Sequence, residues 1–169
     1  MLSMTARATF YTSSSSGLFM KTLPVKTGML IRRPTDEVYQ AFIEPGVTTW
    51  FWFSHADRRL TPGARATWTW DMLGMDIKIE VKAMEREKRI HILWDTAGTP
   101  SDLEFTFEDR GRGTWVEITN SGFSADEEGF AKAMKAIEGF TLVLAGAKLW
   151  LEQSIEPRFI TDSNPKAGA

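Results

Sequence analysis

The stretch GTWVEITNSGF, residues 113–123, alternates with a period of two: Thr114, Val116 and Ile118 fall on one face, Trp115, Glu117 and Thr119 on the other. One buried and one solvated face is the pattern of an antiparallel strand. Directly after it, Ser124 and Glu127 have the spacing of a capping box, and a helix is expected from about Asp126 to Glu152. Phe130, Met134, Ile137, Thr141, Leu144 and Leu151 recur at helical spacing and form its expected buried stripe. Gly139 and Gly146, with Ala145 and Ala147, suit a helix that approaches a sheet closely.

Upstream, the period-two pattern repeats. Ala64, Ala66, Trp68, Trp70 and Met72 oppose Arg65, Thr67, Thr69 and Asp71. After a turn at Leu73-Gly74, Ile77, Ile79, Val81 and Ala83 alternate with Asp76, Lys78, Glu80 and Lys82. Ile90, Ile92 and Trp94 continue the apolar face, as do Leu103, Phe105 and Phe107, and Asp109 to Gly113 reads as a hairpin. Ahead of these strands, Val25 to Arg33 has the β-formers of a first strand, and Pro34-Thr35-Asp36-Glu37 opens a short helix with acids in its first turn. Pro45-Gly46 ends that helix. Val47 to Phe53 is expected to make a second helical turn whose Trp50, Phe51, Trp52 and Phe53 must be covered.

Residues 1–22 contain no acid and include Ser13-Ser14-Ser15-Ser16-Gly17; they read as a flexible leader, with a start at Met20 equally compatible. The domain is placed at 23–156, and residues 157–169 read as a polar tail after Pro157 stops the helix.

Composition narrows the function classes. The chain of 169 residues carries 20 basic and 22 acidic side chains, with no basic concentration of the kind nucleic acid or anionic lipid requires. Neither nucleic acid nor membrane is an expected partner. Cysteine is absent, which removes disulfides, thiol nucleophiles and thiolate metal sites and agrees with a cytoplasmic location. Seven Trp and eleven Phe stand against two Tyr, so large apolar faces carry few phenolic hydroxyls.

The order strand, two short helices, successive strands and one long helix, together with Arg33-Pro34 through Phe42 ahead of Trp50, Leu60 to Trp70 around Pro62-Gly63, EREKRIHILWD (85–95), GTWVEITNSGF and EGFTLVLAGAKLWLE (138–152), resembles a known family. Residues 24–154 are similar to homologues of the C-terminal domain of the heat-shock-protein-90 ATPase activator, within the START-like (SRPBCC) superfamily. The resemblance implies an α+β helix-grip fold: a curved antiparallel sheet wrapped around a long C-terminal helix, with two short helices after the first strand. It further implies a hydrophobic cavity between sheet and helix, since such a sheet does not close fully on its helix. Where this chain has Gly139-Phe140, family members usually carry Gly-Trp.

On that frame the expected ligand-lining residues are Trp50, Trp68, Trp70 and Met72, then Ile77, Ile79, Ile92 and Trp94. Phe105 and Phe107 extend the wall, and Met134, Phe140 and Leu144 supply the helix side. These positions serve equally as plain core; the aromatic area on a concave sheet favours a mixture of core and pocket. The expected function is binding of a small hydrophobic molecule, with no cofactor. The alternatives are a co-chaperone-like interaction module, whose partner is a chaperone, and a cyclase- or hydrolase-type enzyme.

No catalytic residue is assigned. His55 and Asp57 have a two-ligand spacing, but with His91 as the second histidine and no cysteine a complete metal site is not expected. His91 alternates outward from Ile90 and Ile92, and Asp71 outward from Trp70. Asp126, Glu127 and Glu128 are first-turn acids that the helix dipole explains. Trp115 is expected on the convex face, where an exposed indole marks a contact such as a homodimer interface.

Overall fold

The computed structural model describes residues 24–96 and 99–165. Residues 1–22, read as a leader, lie outside the described residues. In chain order the elements are β1 (Val25–Ile31), α1 (Thr35–Ile43), α2 (Pro45–Thr48), β2 (His55–Ala56), β3 (Arg65–Trp70) and β4 (Met75–Glu85). They continue with β5 (Arg89–Thr96), β6 (Thr99–Asp109), β7 (Thr114–Ser121), α3 (Glu127–Gln153) and α4 (Phe159–Asp162). The strands form one antiparallel seven-stranded sheet in the order β1-β7-β6-β5-β4-β3-β2. The last strand therefore pairs with the first, and α3 crosses the concave face.

Alternation positions the core. Ala66, Trp68 and Trp70 of β3, Ile77, Ile79 and Val81 of β4, Ile90 and Ile92 of β5, Leu103, Phe105 and Phe107 of β6, and Val116 and Ile118 of β7 are all buried. One step of the pattern shifts: a β-bulge between Val81 and Ala83 changes register, so that Met84, opposite Ile90, packs on the core where strict alternation placed Ala83. Strand β2 was not expected, because two residues carry no periodicity; its residues His55 and Ala56 pair with Thr69 and Trp68.

The helices start and stop differently from the sequence expectation. Pro45 opens α2, its fixed φ suiting a first helical position where an N–H has no partner in any case. At α3 the cap is Asp126: its carboxylate accepts from Gly129 N–H at 2.7 Å and from Ser124 Oγ at 2.7 Å, so Ser124 supports the cap instead of forming the box with Glu127. The Gly129 N–H first, and Ser124 after it, hold the Asp126 pKa below its ordinary value. Helix α3 ends at Ser154, which takes the left-handed conformation (φ 56°), three residues before Pro157. Pro157 is buried, and the segment read as a polar tail folds back as α4.

Three contacts fasten α3 along β1. Thr141 meets Thr27 through their hydroxyls (3.0 Å), Lys148 Nζ donates to the Leu30 carbonyl (2.8 Å), and Glu152 accepts from the Arg32 backbone N–H (2.7 Å). The rise per residue of strand and helix, about 3.3 Å and 1.5 Å, keeps these pairs in step. The first half of α3 extends past this seam, so the expected stripe is corrected there. Phe130 and Met134 are exposed at 68% and 53%, and the buried residues are Gly129, Phe140, Val143, Leu144, Gly146 and Ala147. The large apolar side chains of the first turns point away, while small residues turn inward. Of the three glycines in α3, Gly139 faces open space, a Cβ on Gly129 would collide with the Ser124 backbone carbonyl ahead of the helix, and a Cβ on Gly146 would stand 3.2 Å from both Phe51 Cβ and Pro157 Cγ. The close approach is to these two segments and not to the sheet.

Candidate ligand site between sheet and helix

Trp52 occupies the concavity of the sheet. It sits in the turn that follows α2, is 5% exposed, and its ring centre lies 4.9 Å from Trp68, 5.7 Å from Phe105, 6.2 Å from Phe140 and 6.4 Å from both Trp70 and Trp94. Phe53 stacks on Trp68 at 4.6 Å and meets Trp70 edge-on at 5.8 Å. Phe140 completes the ring of contacts against Trp94 at 5.7 Å. The aromatic area that exceeds one helical stripe is thus covered by Trp52 and Phe53, which reach in from the side.

The anticipated lining residues divide accordingly. Trp68, Trp70, Ile77, Ile79, Ile92, Phe105, Phe140 and Leu144 are brought together in the buried interior, with Trp94 half-buried beside them. Phe107 turns to the far end of the core, edge-on to Tyr39 (5.3 Å) and Phe42 (5.7 Å). Met72 is half-buried at the β3–β4 turn. Two positions stand outside the group. Met134 is exposed because α3 has left the sheet at that point, and Trp50, expected to be covered, is 45% exposed and stacks at 4.5 Å on Trp150 of α3. The plug residues Trp52 and Phe53 are the ones that sequence reasoning did not assign to the site. Their unbroken apolar run signalled burial, but nothing in it said what they would cover.

The polar chemistry of this interior is sparse. Thr48, Thr114 and Asn120 are its buried polar residues, and Thr48 and Asn120 are bonded locally, Thr48 Oγ1 donating to the Ala41 carbonyl and Asn120 Nδ2 to the Asp102 carbonyl. Burial raises the Tyr39 pKa. Trp68 Nε1, on a side chain 1% exposed, has no hydrogen-bond acceptor; Asp95 Oδ1 is the other buried polar atom without a partner among the described residues.

Both histidines lie away from this interior. His55 Nε2 is 2.9 Å from Asp71 Oδ2 on the exposed edge, and Asp57 accepts from the Thr67 backbone N–H, so His55 and Asp57 do not converge. His91 Nε2 lies 2.7 Å from Asp102 Oδ1 on the convex face. Trp115 is on that face as well, half-buried over Gly28, where an added Cβ would collide with its ring. Part of the indole is therefore used within the sheet.

A curved antiparallel sheet gripping a long C-terminal helix defines a START-like helix-grip domain. The chain belongs to the family of Activator of Hsp90 ATPase homolog 1-like proteins, whose sequence profile matches residues 32–149. No curated protein sequence matches it. Among solved structures it is similar to a protein from Staphylococcus saprophyticus, with 23% identity, 79% of this chain and 95% of that chain covered, and a TM-score of 0.71. It is also similar to DynU16, a protein in the dynemicin biosynthetic locus (18% identity, 79% and 49% covered, TM-score 0.72). A third relative is the Aha1 dimer from Colwellia psychrerythraea (15% identity, 78% and 97% covered, TM-score 0.68). At these identities the structural likenesses establish the fold. Among the described residues no helix is long and apolar enough to cross a membrane.

Proposed function

We propose that this domain binds a small hydrophobic molecule carrying a hydrogen-bond acceptor, in the space between sheet and α3 that Trp52 fills here. The carrying observation is the Trp68 indole N–H, buried among aromatic rings without an acceptor. A buried donor left unpaired costs roughly 1–3 kcal/mol, and buried indoles ordinarily find a partner. A ligand oxygen would supply one. Trp52 belongs to a turn outside the regular elements, so its displacement leaves the strands and α3 in place. The aromatic walls Trp70, Trp94, Phe105 and Phe140 would then face the ligand.

The reading is non-covalent. The described interior offers no pair of ionisable groups for acid–base work, and the His–Asp pairs are at its outside. Occurrence of a structural relative in a biosynthetic locus supports a small-molecule role. Titration with fatty acids, sterols and aromatic polyketides, read by tryptophan emission, tests it. Saturable change with at least one class is expected, and Trp68→Phe weakens ligands that carry an acceptor; a flat response across the panel refutes the reading.

A second reading has its own observation. Phe130 and Met134 form an exposed apolar face on the free half of α3, and this face supports an interaction role, with a second copy of the chain as one partner, as in the dimeric relative, and a chaperone as another. Sedimentation of Phe130→Glu, which lightens the species if the face joins two copies, checks the first of these.

A further inference from the structure

One straight line of side chains runs the length of α3. Phe130, Met134, Ile137, Thr141, Lys148 and Glu152 follow one another at steps of three, four or seven residues, each of which returns to the same side of a helix. The second half of the line is occupied: Thr141 meets Thr27, Lys148 donates to the Leu30 carbonyl, and Glu152 accepts from the Arg32 backbone N–H. The first half has no strand beside it. Phe130 and Met134 are exposed at the level where β1, which starts at Val25, has not yet begun.

Strand and helix run in the same direction along this seam. Five residues of chain beside the helix (27 to 32) match eleven of α3 (141 to 152), and at rises of about 3.3 Å and 1.5 Å these are equal lengths. Carried backwards at the same ratio, position 23 falls between Phe130 and Met134, and position 21 falls level with Glu127. Alternation fixes the side they share. Thr27, Met29 and Ile31 turn toward α3 and the core, whereas Lys26 pairs with Glu117 on the other face, so positions 21 and 23 belong to the inward set. The residues at these positions are Lys21 and Leu23, a cation and an apolar side chain. Glu127 stands in the first turn of α3 and, among the described residues, has no cation within 4.0 Å, while its neighbour Glu128 pairs with Lys132. Residues 1–23 bring no acid of their own to this acidic turn.

From this register we infer that residues 21–23 of the chain seat on the free half of α3, with Leu23 between Phe130 and Met134 and Lys21 at Glu127. The apolar face is then covered within one chain. A second copy or a chaperone reaches Phe130 and Met134 only by displacing Leu23, so the segment ahead of β1 controls access to the face on which the second reading rests. Ligand binding between sheet and helix is not required for this contact.

Because the chain has no cysteine, two introduced thiols report the contact directly. In the full chain, Leu23→Cys with Met134→Cys, treated with oxidised glutathione at low protein concentration, is expected to close a disulfide within one chain, since that bond needs Cα atoms about 4.4–6.8 Å apart. Non-reducing electrophoresis and intact mass read the product. Leu23→Cys with Lys132→Cys, exposed on the other side of α3, controls for the mere nearness of a tethered segment and stays reduced over the same time. Lys21→Glu slows closure of the first pair about threefold, the weight of an exposed ion pair, and Glu127→Lys in the same chain restores the rate. Both helix positions are exposed, so the reduced variants melt as wild type does. A cross-link between two chains would give the face to a second copy, and equal closure with Met134→Cys and Lys132→Cys, or closure with neither, would place residues 21–23 elsewhere; each of these results overturns the inference.

Discussion

Replacing Trp52 by alanine tests the packing on which the site description rests. The side chain is 5% exposed and has six aromatic neighbours: Phe53, Trp68, Trp70, Trp94, Phe105 and Phe140. Truncating a buried tryptophan costs about 3–5 kcal/mol, the transfer term plus the cavity it leaves. The upper part of that range is expected, because the neighbouring strands are tied into the sheet on both sides and cannot collapse into the gap. In a chain of this size each kcal/mol moves the melting temperature by about 2–4 °C, so the drop is roughly 6–20 °C. Thermal unfolding followed by circular dichroism measures it. The vacated space has the shape of an indole, so added indole stabilises Trp52→Ala and leaves wild type unmoved; at a hundredfold excess over its Kd the gain is about 2.7 kcal/mol. A loss below about 1 kcal/mol, or equal stabilisation of both proteins, would refute the claim that Trp52 fills the grip.

Other consequences follow from single contacts. Gly28→Ala drives a Cβ into the Trp115 ring and is expected to destabilise by about 1–3 kcal/mol, the usual cost of overpacking, with Trp115→Ala in the same chain relieving part of it; denaturant melts of single and double variants decide this. Leu144, fully buried on α3, loses about 2–5 kcal/mol as alanine by the same assay. Glu152 gives a pH dependence: burial on its own raises its pKa, but the Arg32 backbone N–H and then Lys148 outweigh burial and hold the carboxyl below its ordinary value. A depressed carboxyl contributes stability that is present above its unfolded pKa and lost as pH falls through the folded value. The difference in melting temperature between wild type and Glu152→Gln is therefore largest near neutral pH and shrinks in acid; a difference constant with pH contradicts the assignment.

The sheet and its inward residues were legible in the sequence because alternation is a local property: each strand from Arg65 to Ser121 announces its buried face by period alone. The long helix was legible in extent but not in rotation. Its stripe was drawn through Phe130 and Met134 by helical spacing, whereas its orientation is set by distant partners, Thr27 and Leu30 on β1 and Arg32 just after it, which no periodicity reveals. The bulge at Val81 and the two-residue strand β2 likewise depend on neighbouring strands. The resemblance led to an expected open cavity. What the sequence left out was the tertiary route of 50–53, whose Trp52 and Phe53 enter the concavity, and the return of the chain at Pro157 to the same turn.

The most direct test of ligand binding between sheet and helix is the indole region of a ¹H–¹⁵N spectrum recorded while the hydrophobic panel is titrated into the protein. A true ligand moves the Trp68 resonance downfield as its N–H gains an acceptor, and shifts Trp52 along the same saturation curve as that ring leaves the interior. Indole resonances of Trp68 and Trp52 that stay fixed with every ligand class would contradict the account.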